Sequence, residues 1–168
     1  MSKDLSAIFN QIIKVYTNKP ELAQAEYQAK TRLVENLKTE AQVGSHKVVI
    51  DEPKEMGGSD EGPNPLDTFL ATLGTCQEIT YAAYAAVMGI KLEKVEVEVK
   101  GDIDLRGLLG IGDAKPGFRK ISYLTKIASP EPKEKIQQLV AAVEAHCPVL
   151  DSIKTPIEVE GRVEIIVV

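Results

Sequence analysis

Two cysteines, Cys76 and Cys147, and two histidines, His46 and His146, are the side chains of this 168-residue chain best equipped for chemistry. A thiolate is a nucleophile, a redox centre or a soft metal ligand, but free cysteine is also among the most buried residue types, so packing alone accounts for either thiol. Metal binding finds no support in the spacing. There is no paired-ligand motif, and the adjacent His146 and Cys147 would project in different directions from a helix. No C-x-x-C redox site and no G-x-S-x-G elbow is present. The glycines of Gly57-Gly58, Gly107 and Gly110-Ile111-Gly112 match neither a phosphate loop nor a dinucleotide fingerprint. No metal and no cofactor are expected. If the thiols do redox work, the fold must bring them together.

The elements that would position them follow from hydrophobic spacing. Leu5, Ile8, Phe9, Ile12, Ile13 and Tyr16 predict an amphipathic helix ended by Lys19-Pro20. Alternation from Gln24 to Leu33 predicts a half-buried strand, and two further strands, Leu37 to Val43 and His46 to Asp51, meet at the turn pair Gly44-Ser45. A flexible loop, Glu52 to Pro63, precedes a strong helix start: Asn64 can cap, Pro65 suits the first position, and Asp67 favours the positive helix end. That helix runs to Met88, is stopped by Gly89, and is apolar almost all round, which predicts burial. Cys76 lies about three turns inside it, where neither helix end helps its thiolate; reactivity would require a nearby cation such as an arginine.

Val95, Val97 and Val99 predict a strand that pairs with another carrying Ile121, Tyr123, Thr125 and Ile127. The connection from Asp102 to Gly117, with Leu108, Leu109 and Ile111, is too apolar for free solvation and should fold over something. Ile136, Leu139, Val140, Val143 and Cys147 share a face of a later helix that Pro148 ends, which leaves Cys147 at a helix C-terminus and a poor attacking group. Val159, Val163, Ile165 and Val167 mark a last strand with Ile166 and Val168 outward. The order predicts an α+β domain with helices packed on mostly antiparallel sheet. We divide it into an amino-terminal helical extension, residues 1–19, and one domain, residues 20–168.

With 43% hydrophobic and 27% charged residues the chain is globular, and its net charge of −5 disfavours nucleic acid and anionic membranes as partners. No apolar run is long enough to span a bilayer, and the start, Met1-Ser2-Lys3-Asp4-Leu5, lacks a signal-peptide pattern, so a cytoplasmic protein is expected.

The segment Gly62-Pro63-Asn64-Pro65-Leu66-Asp67-Thr68-Phe69-Leu70-Ala71-Thr72-Leu73-Gly74-Thr75-Cys76, followed by His146-Cys147-Pro148-Val149-Leu150, resembles the paired cysteine signatures of the OsmC/Ohr family of thiol-dependent peroxidases. The resemblance extends from about Tyr27 to the C-terminus, and Gly101 to Gly107 with Pro116-Gly117-Phe118 resembles the OsmC-like branch. It implies an intertwined homodimer in which mostly antiparallel sheet wraps a long central helix. It also implies reduction of organic hydroperoxides, with Cys76 as peroxidatic and Cys147 as resolving cysteine, a Cys76–Cys147 disulfide, and an external dithiol reductant. The family's glutamate position holds Leu66 here, with Asp67 one residue later, and Arg32 is the nearest counterpart of its arginine. Nine residues at ~1.5 Å and ~100° each put Asp67 ~13 Å from Cys76 and roughly opposite it, so on a regular helix it cannot touch its own chain's thiol. The competing expectation is a noncatalytic dimeric module that binds a hydrophobic ligand under the Leu108, Leu109 and Ile111 loop.

Overall fold

Asp4 opens the first helix, α1 (Leu5–Asn18), by accepting a hydrogen bond from the Ala7 amide at 3.2 Å, and a short 3₁₀ turn, Pro20–Ala23, follows. The computed structural model describes residues 4–167; Val168, expected at the outward end of a strand, lies outside them, as do the first three residues of the extension. The next three strands, β1 (Ala29–Glu35), β2 (Lys38–Val43) and β3 (His46–Ile50), form an antiparallel meander in the order β1-β2-β3. Val43 faces His46 across the Gly44-Ser45 turn, as expected.

The strand expected from Gln24 begins five residues later. Residues 24–28 have no regular structure, Tyr27 is 96% exposed, and every residue of β1 is exposed. The alternation there is real, but among the described residues no helix or second sheet packs extensively on this meander, so neither face of β1 has a layer to bury against.

The loop after β3 is organised by one carboxylate. Asp51 is 1% exposed and accepts hydrogen bonds from the amides of Glu52 (2.9 Å), Ser59 (3.0 Å) and Glu61 (3.2 Å). Burial alone would raise its carboxyl, but the three amides outweigh that and hold it below the usual carboxylate range. The expected flexible loop is thus a folded turn around a buried anion, delivering the chain to α2 (Pro65–Met88), where Asn64 caps the Asp67 amide at 2.8 Å.

α2 lies on a second antiparallel pair, β4 (Lys94–Asp102) and β5 (Lys120–Ala128), with Val95 opposite Ile127, Val97 opposite Thr125 and Val99 opposite Tyr123. Gly74 makes the close approach: a Cβ there would meet a Val99 methyl at 3.4 Å and the Val97 carbonyl at 3.6 Å. Helix α3 (Lys133–His146) packs beside α2, and Pro148, expected only to end it, also begins another helix, α4 (Pro148–Lys154). A missing amide hydrogen is harmless at a first helical position, so the same proline serves both purposes.

Three expectations change for a physical reason they share: apolar residues without a covering layer in the chain. The segment expected as a last strand has no regular structure after Thr155, with Val159, Val163, Ile165 and Val167 all exposed, as Ile166 is. In the Asp102–Gly117 connection Asp104 pairs with Arg106 at 2.6 Å and Gly107 lies against the Lys115 backbone, while Leu108, Leu109 and Ile111 are exposed. α2 is buried on one side, through Leu73, Gly74, Gln77, Thr80, Tyr81 and Ala85, whereas Ile79 is 69% exposed. The architecture is nonetheless the expected mixed α+β fold of antiparallel sheets and helices. No helix among the described residues is long and apolar enough to cross a membrane.

The Asp51 cradle gives a pH signature. Because its carboxyl is held below the unfolded value of about 3.9, its contribution is complete above that pH and is lost as pH falls through the folded value. Asp51→Asn should unfold at lower urea concentration at pH 7 and lose less on acidification from pH 5 to pH 3 than the wild type; equal slopes for the two proteins would contradict this.

Candidate active site

α2, α3 and α4 converge on the two cysteines. Leu73, one turn before Cys76 on α2, packs with Cys147 and Leu150, and all three are nearly inaccessible. Cys76, Val99, Ile121, Val149 and Ile153 close around them. The result is a sulfur–sulfur distance of 3.5 Å, with the Cys147 thiol donating to Cys76 Sγ. Both thiols are free, Cys147 buried at 1% exposure and Cys76 partly open.

Cys147 differs from its expected setting. It ends α3, with its amide donating to the Val143 carbonyl at 2.9 Å, and it also precedes α4, whose first turn points amides back at it. Burial pushes the Cys147 thiol up; the Leu150 amide opposes this, Cys76 adds to the rise, and Val149 opposes it weakly. The net direction is upward because the amides of one short turn do not replace the water lost on burial. Cys147 therefore keeps its proton and hands the role of acceptor to Cys76.

Neither proposed charged residue meets the sulfurs within the chain. Arg32 points from β1 to Glu40 at 2.7 Å, in an exposed cleft with Lys30, Thr31, Gln42 and Lys47. Asp67 lines a different hollow, of about 370 Å³, between α2 and β4, with Ala71, Thr75, Glu78, Val97 and Val99. This agrees with the helix geometry that kept Asp67 off the Cys76 face. No group of three or more His, Cys, Asp or Glu among the described residues is placed to hold a metal.

Two features were missed in the sequence. One is an apolar cleft of about 720 Å³ lined by Leu66, Phe69, Phe118, Ile121, Val149 and Ile153, the last three of which also pack around the cysteine cluster. Phe69 stacks on Phe118 with centroids 6.0 Å apart, and Phe118 covers Gly101, where any side chain would collide with its ring. The signal was Leu66 and Phe69 preceding Cys76 on the same helix. The other is a pair of buried polar side chains, Gln77 next to Cys76 on α2 and Thr125 on β5. Gln77 is 2% exposed and its amide nitrogen has no hydrogen-bond partner, and the buried Thr125 hydroxyl likewise has none. Such groups cost on the order of 1–3 kcal/mol each. A glutamine at helical spacing between Leu73 and Tyr81 was the available signal.

The OsmC-like family profile matches residues 58–161, more than half of the chain and inclusive of both cysteines. The chain belongs to the OsmC-like family. A hydroperoxide reductase of Mycoplasma genitalium is 34% identical over 96 residues, which cover 57% of this chain and 63% of that protein, so the match spans less than two thirds of the relative. Among solved structures, the OsmC-like protein of Mycoplasma pneumoniae superposes with a TM-score of 0.67 at 23% identity, covering 78% of this chain and 89% of the other. An organic hydroperoxide resistance protein, OsmC, of Legionella pneumophila superposes with a TM-score of 0.58 at 22% identity, covering 78% and 92%. At these identities the two structures show that this OsmC-like chain shares their fold.

The unequal thiols predict an order of modification. Iodoacetamide at pH 7 to 8 should label Cys76 first and Cys147 more slowly, with the Cys147 rate still climbing as pH is raised, because burial raises that thiol and screens it. Peptide mapping by mass spectrometry that finds Cys147 labelled first would contradict the assignment of the acceptor role.

Proposed function

We propose that this OsmC-like chain is a cysteine-based peroxidase that reduces organic hydroperoxides. The observation that carries the reading is the 3.5 Å approach of Cys76 and Cys147 beside an apolar cleft. The Cys76 thiolate attacks the terminal peroxide oxygen, the O–O bond breaks, the alkoxide leaves and takes up a proton as an alcohol, and Cys76 becomes a sulfenic acid. Cys147 then displaces hydroxide from that sulfur to form the Cys76–Cys147 disulfide, and an external dithiol reductant restores both thiols. The cleft suits an apolar substituent on the peroxide, since its wall is aliphatic and aromatic with Ser152 as a polar edge. The hydroperoxide reductase and hydroperoxide resistance names of the relatives support this reaction class.

The working unit in this reading is a homodimer. Ile79 stands exposed in the middle of α2, flanked at helical spacing by Thr72, Thr75 and Ala82, and the Thr72 and Thr75 hydroxyls bond back to carbonyls of their own helix. That face offers methyl groups and little bulk, which suits close helix packing. The bare β1–β3 meander and the uncovered residues after Thr155 ask for the same partner. Arg32 and Asp67 would then serve a site only across that interface. Interfaces of this kind bury more than ~2,000 Å² in all.

Cys76→Ser should abolish consumption of an organic hydroperoxide, whereas Cys147→Ser should react once and stop with oxygen added at Cys76. If wild-type Cys76 stays reduced under excess peroxide, the noncatalytic ligand-binding reading replaces this one. Sedimentation at micromolar concentration should give a dimer; a monomer would remove Arg32 and Asp67 from the proposed site.

A further inference from the structure

The face of β4 turned to α2 carries Val95, Val97 and Val99, and Gly101 is the next residue in that alternation. Gly101 pairs with Ile121 across the β4–β5 ladder. The backbone does not ask for glycine there, since Gly101 has no positive φ, and a glycine inside a strand weakens it unless something must come close. What comes close is Phe118: a Cβ on Gly101 would lie 2.4 Å from Phe118 Cε1 and 2.6 Å from Cδ1. The ring takes the place of the missing side chain. Phe69 of α2 stacks on it, with centroids 6.0 Å apart and planes inclined at 23°.

A ring pair that only closed the end of the helix–sheet layer would be buried, yet Phe69 is 42% exposed, and both rings line the apolar cleft of about 720 Å³. Two observations join that cleft to the sulfurs. Ile121, Val149 and Ile153 wall the cleft and also pack on the cluster that contains Cys147 and Cys76. Along α2, Leu66, Phe69, Leu73 and Cys76 share one stripe, in which Cys76 follows Phe69 by seven residues, ~10 Å and nearly two full turns. Helical side chains lean toward the helix start, which is the end of α2 where the cleft lies.

We propose that Phe69 and Phe118, with Phe118 seated over Gly101, are specificity-determining residues that recognise an aryl group in preference to a saturated group of the same size, which makes aryl-substituted hydroperoxides the favoured substrates. The inference rests on the peroxidase reading above for its chemistry and names the substrate class of that site. Aromatic rings attract one another beyond the area they bury when their centroids lie ~4.5–7 Å apart in offset or edge-on arrangements. The Phe69–Phe118 pair already has that spacing, and its open side offers the same to an incoming ring. A cyclohexyl group gains the buried area alone. Volume does not discriminate, because a cleft of about 720 Å³ admits either group. No other residue lining the cleft, among those described, is aromatic, so these two rings are where the groups are told apart.

Two ratios test this in the reduced full-length protein: the calorimetric affinity for cumyl alcohol against that for its cyclohexyl analogue, and kcat/KM for the two corresponding hydroperoxides. The wild type should favour the aryl member of each pair about threefold or more, the scale of one aromatic contact. Phe69→Leu and Phe118→Leu should bring both ratios close to one while leaving the cyclohexyl values near those of the wild type, a pattern that a folding defect does not produce. Gly101→Ala, which must displace the Phe118 ring, should do the same, and Phe69→Tyr, which keeps a ring, should retain the preference. Glu134→Gln, on the exposed start of α3, should change neither ratio. Equal affinities in the wild type, or a preference that survives both leucine variants, would overturn the aryl site. An aryl preference in alcohol binding without any peroxide consumption would uphold aryl recognition and overturn the peroxidase reading alone.

Discussion

The contact on which the rest depends is the packing of Leu73 against Cys147 and Leu150. It ties the middle of α2 to the junction of α3 and α4, two places far apart in sequence, and it leaves the sulfurs 3.5 Å apart. Everything that positions it is local and ordinary. Gly74 lets α2 settle on β4, Asn64 and Pro65 start α2 in the right phase, and Pro148 breaks α3 at the residue where a break places Cys147 inward. Inserting one residue within α3 would rotate the thiol by ~100° and out of the cluster.

Inequality between the thiols follows from the same packing. Cys147 loses water on all sides and is held up as a thiol, while Cys76, on a partly open face, is the sulfur that solvent and solutes reach. Ile121, Val149 and Ile153 belong both to the wall of the apolar cleft and to the packing around the sulfurs. One buried thiol and one partly open thiol thus sit in a cluster whose side chains also wall an apolar cleft.

Much of this was legible in the residues. The Asn64-Pro65 start, the α2 span, the Gly44-Ser45 turn and the pairing of Val95–Val99 with Ile121–Ile127 all follow from spacing and capping, which act within one element or between neighbours. The 3.5 Å sulfur contact was reached only through resemblance, because no local rule connects Cys76 to Cys147. The exposed β1, the irregular tail after Thr155 and the outward Leu108, Leu109 and Ile111 depart from their patterns because hydrophobic alternation states that a face will be covered without stating by which chain. Asp51 was hidden for the opposite reason: its partners are backbone amides of Glu52, Ser59 and Glu61, which leave no trace in side-chain type. Arg32 and Asp67 remain apart from the sulfurs within one chain, consistent with the phase of α2 and the isolation of the meander.

The central claim is that the fold makes Cys76 and Cys147 one redox unit. An anaerobic titration of the fully reduced protein with cumene hydroperoxide, without any reductant, tests it most directly. The account predicts that one equivalent of peroxide is consumed per chain, that both thiols disappear together, and that they are recovered as a single intramolecular disulfide. Loss of one thiol without the other, or no consumption of peroxide, would contradict it.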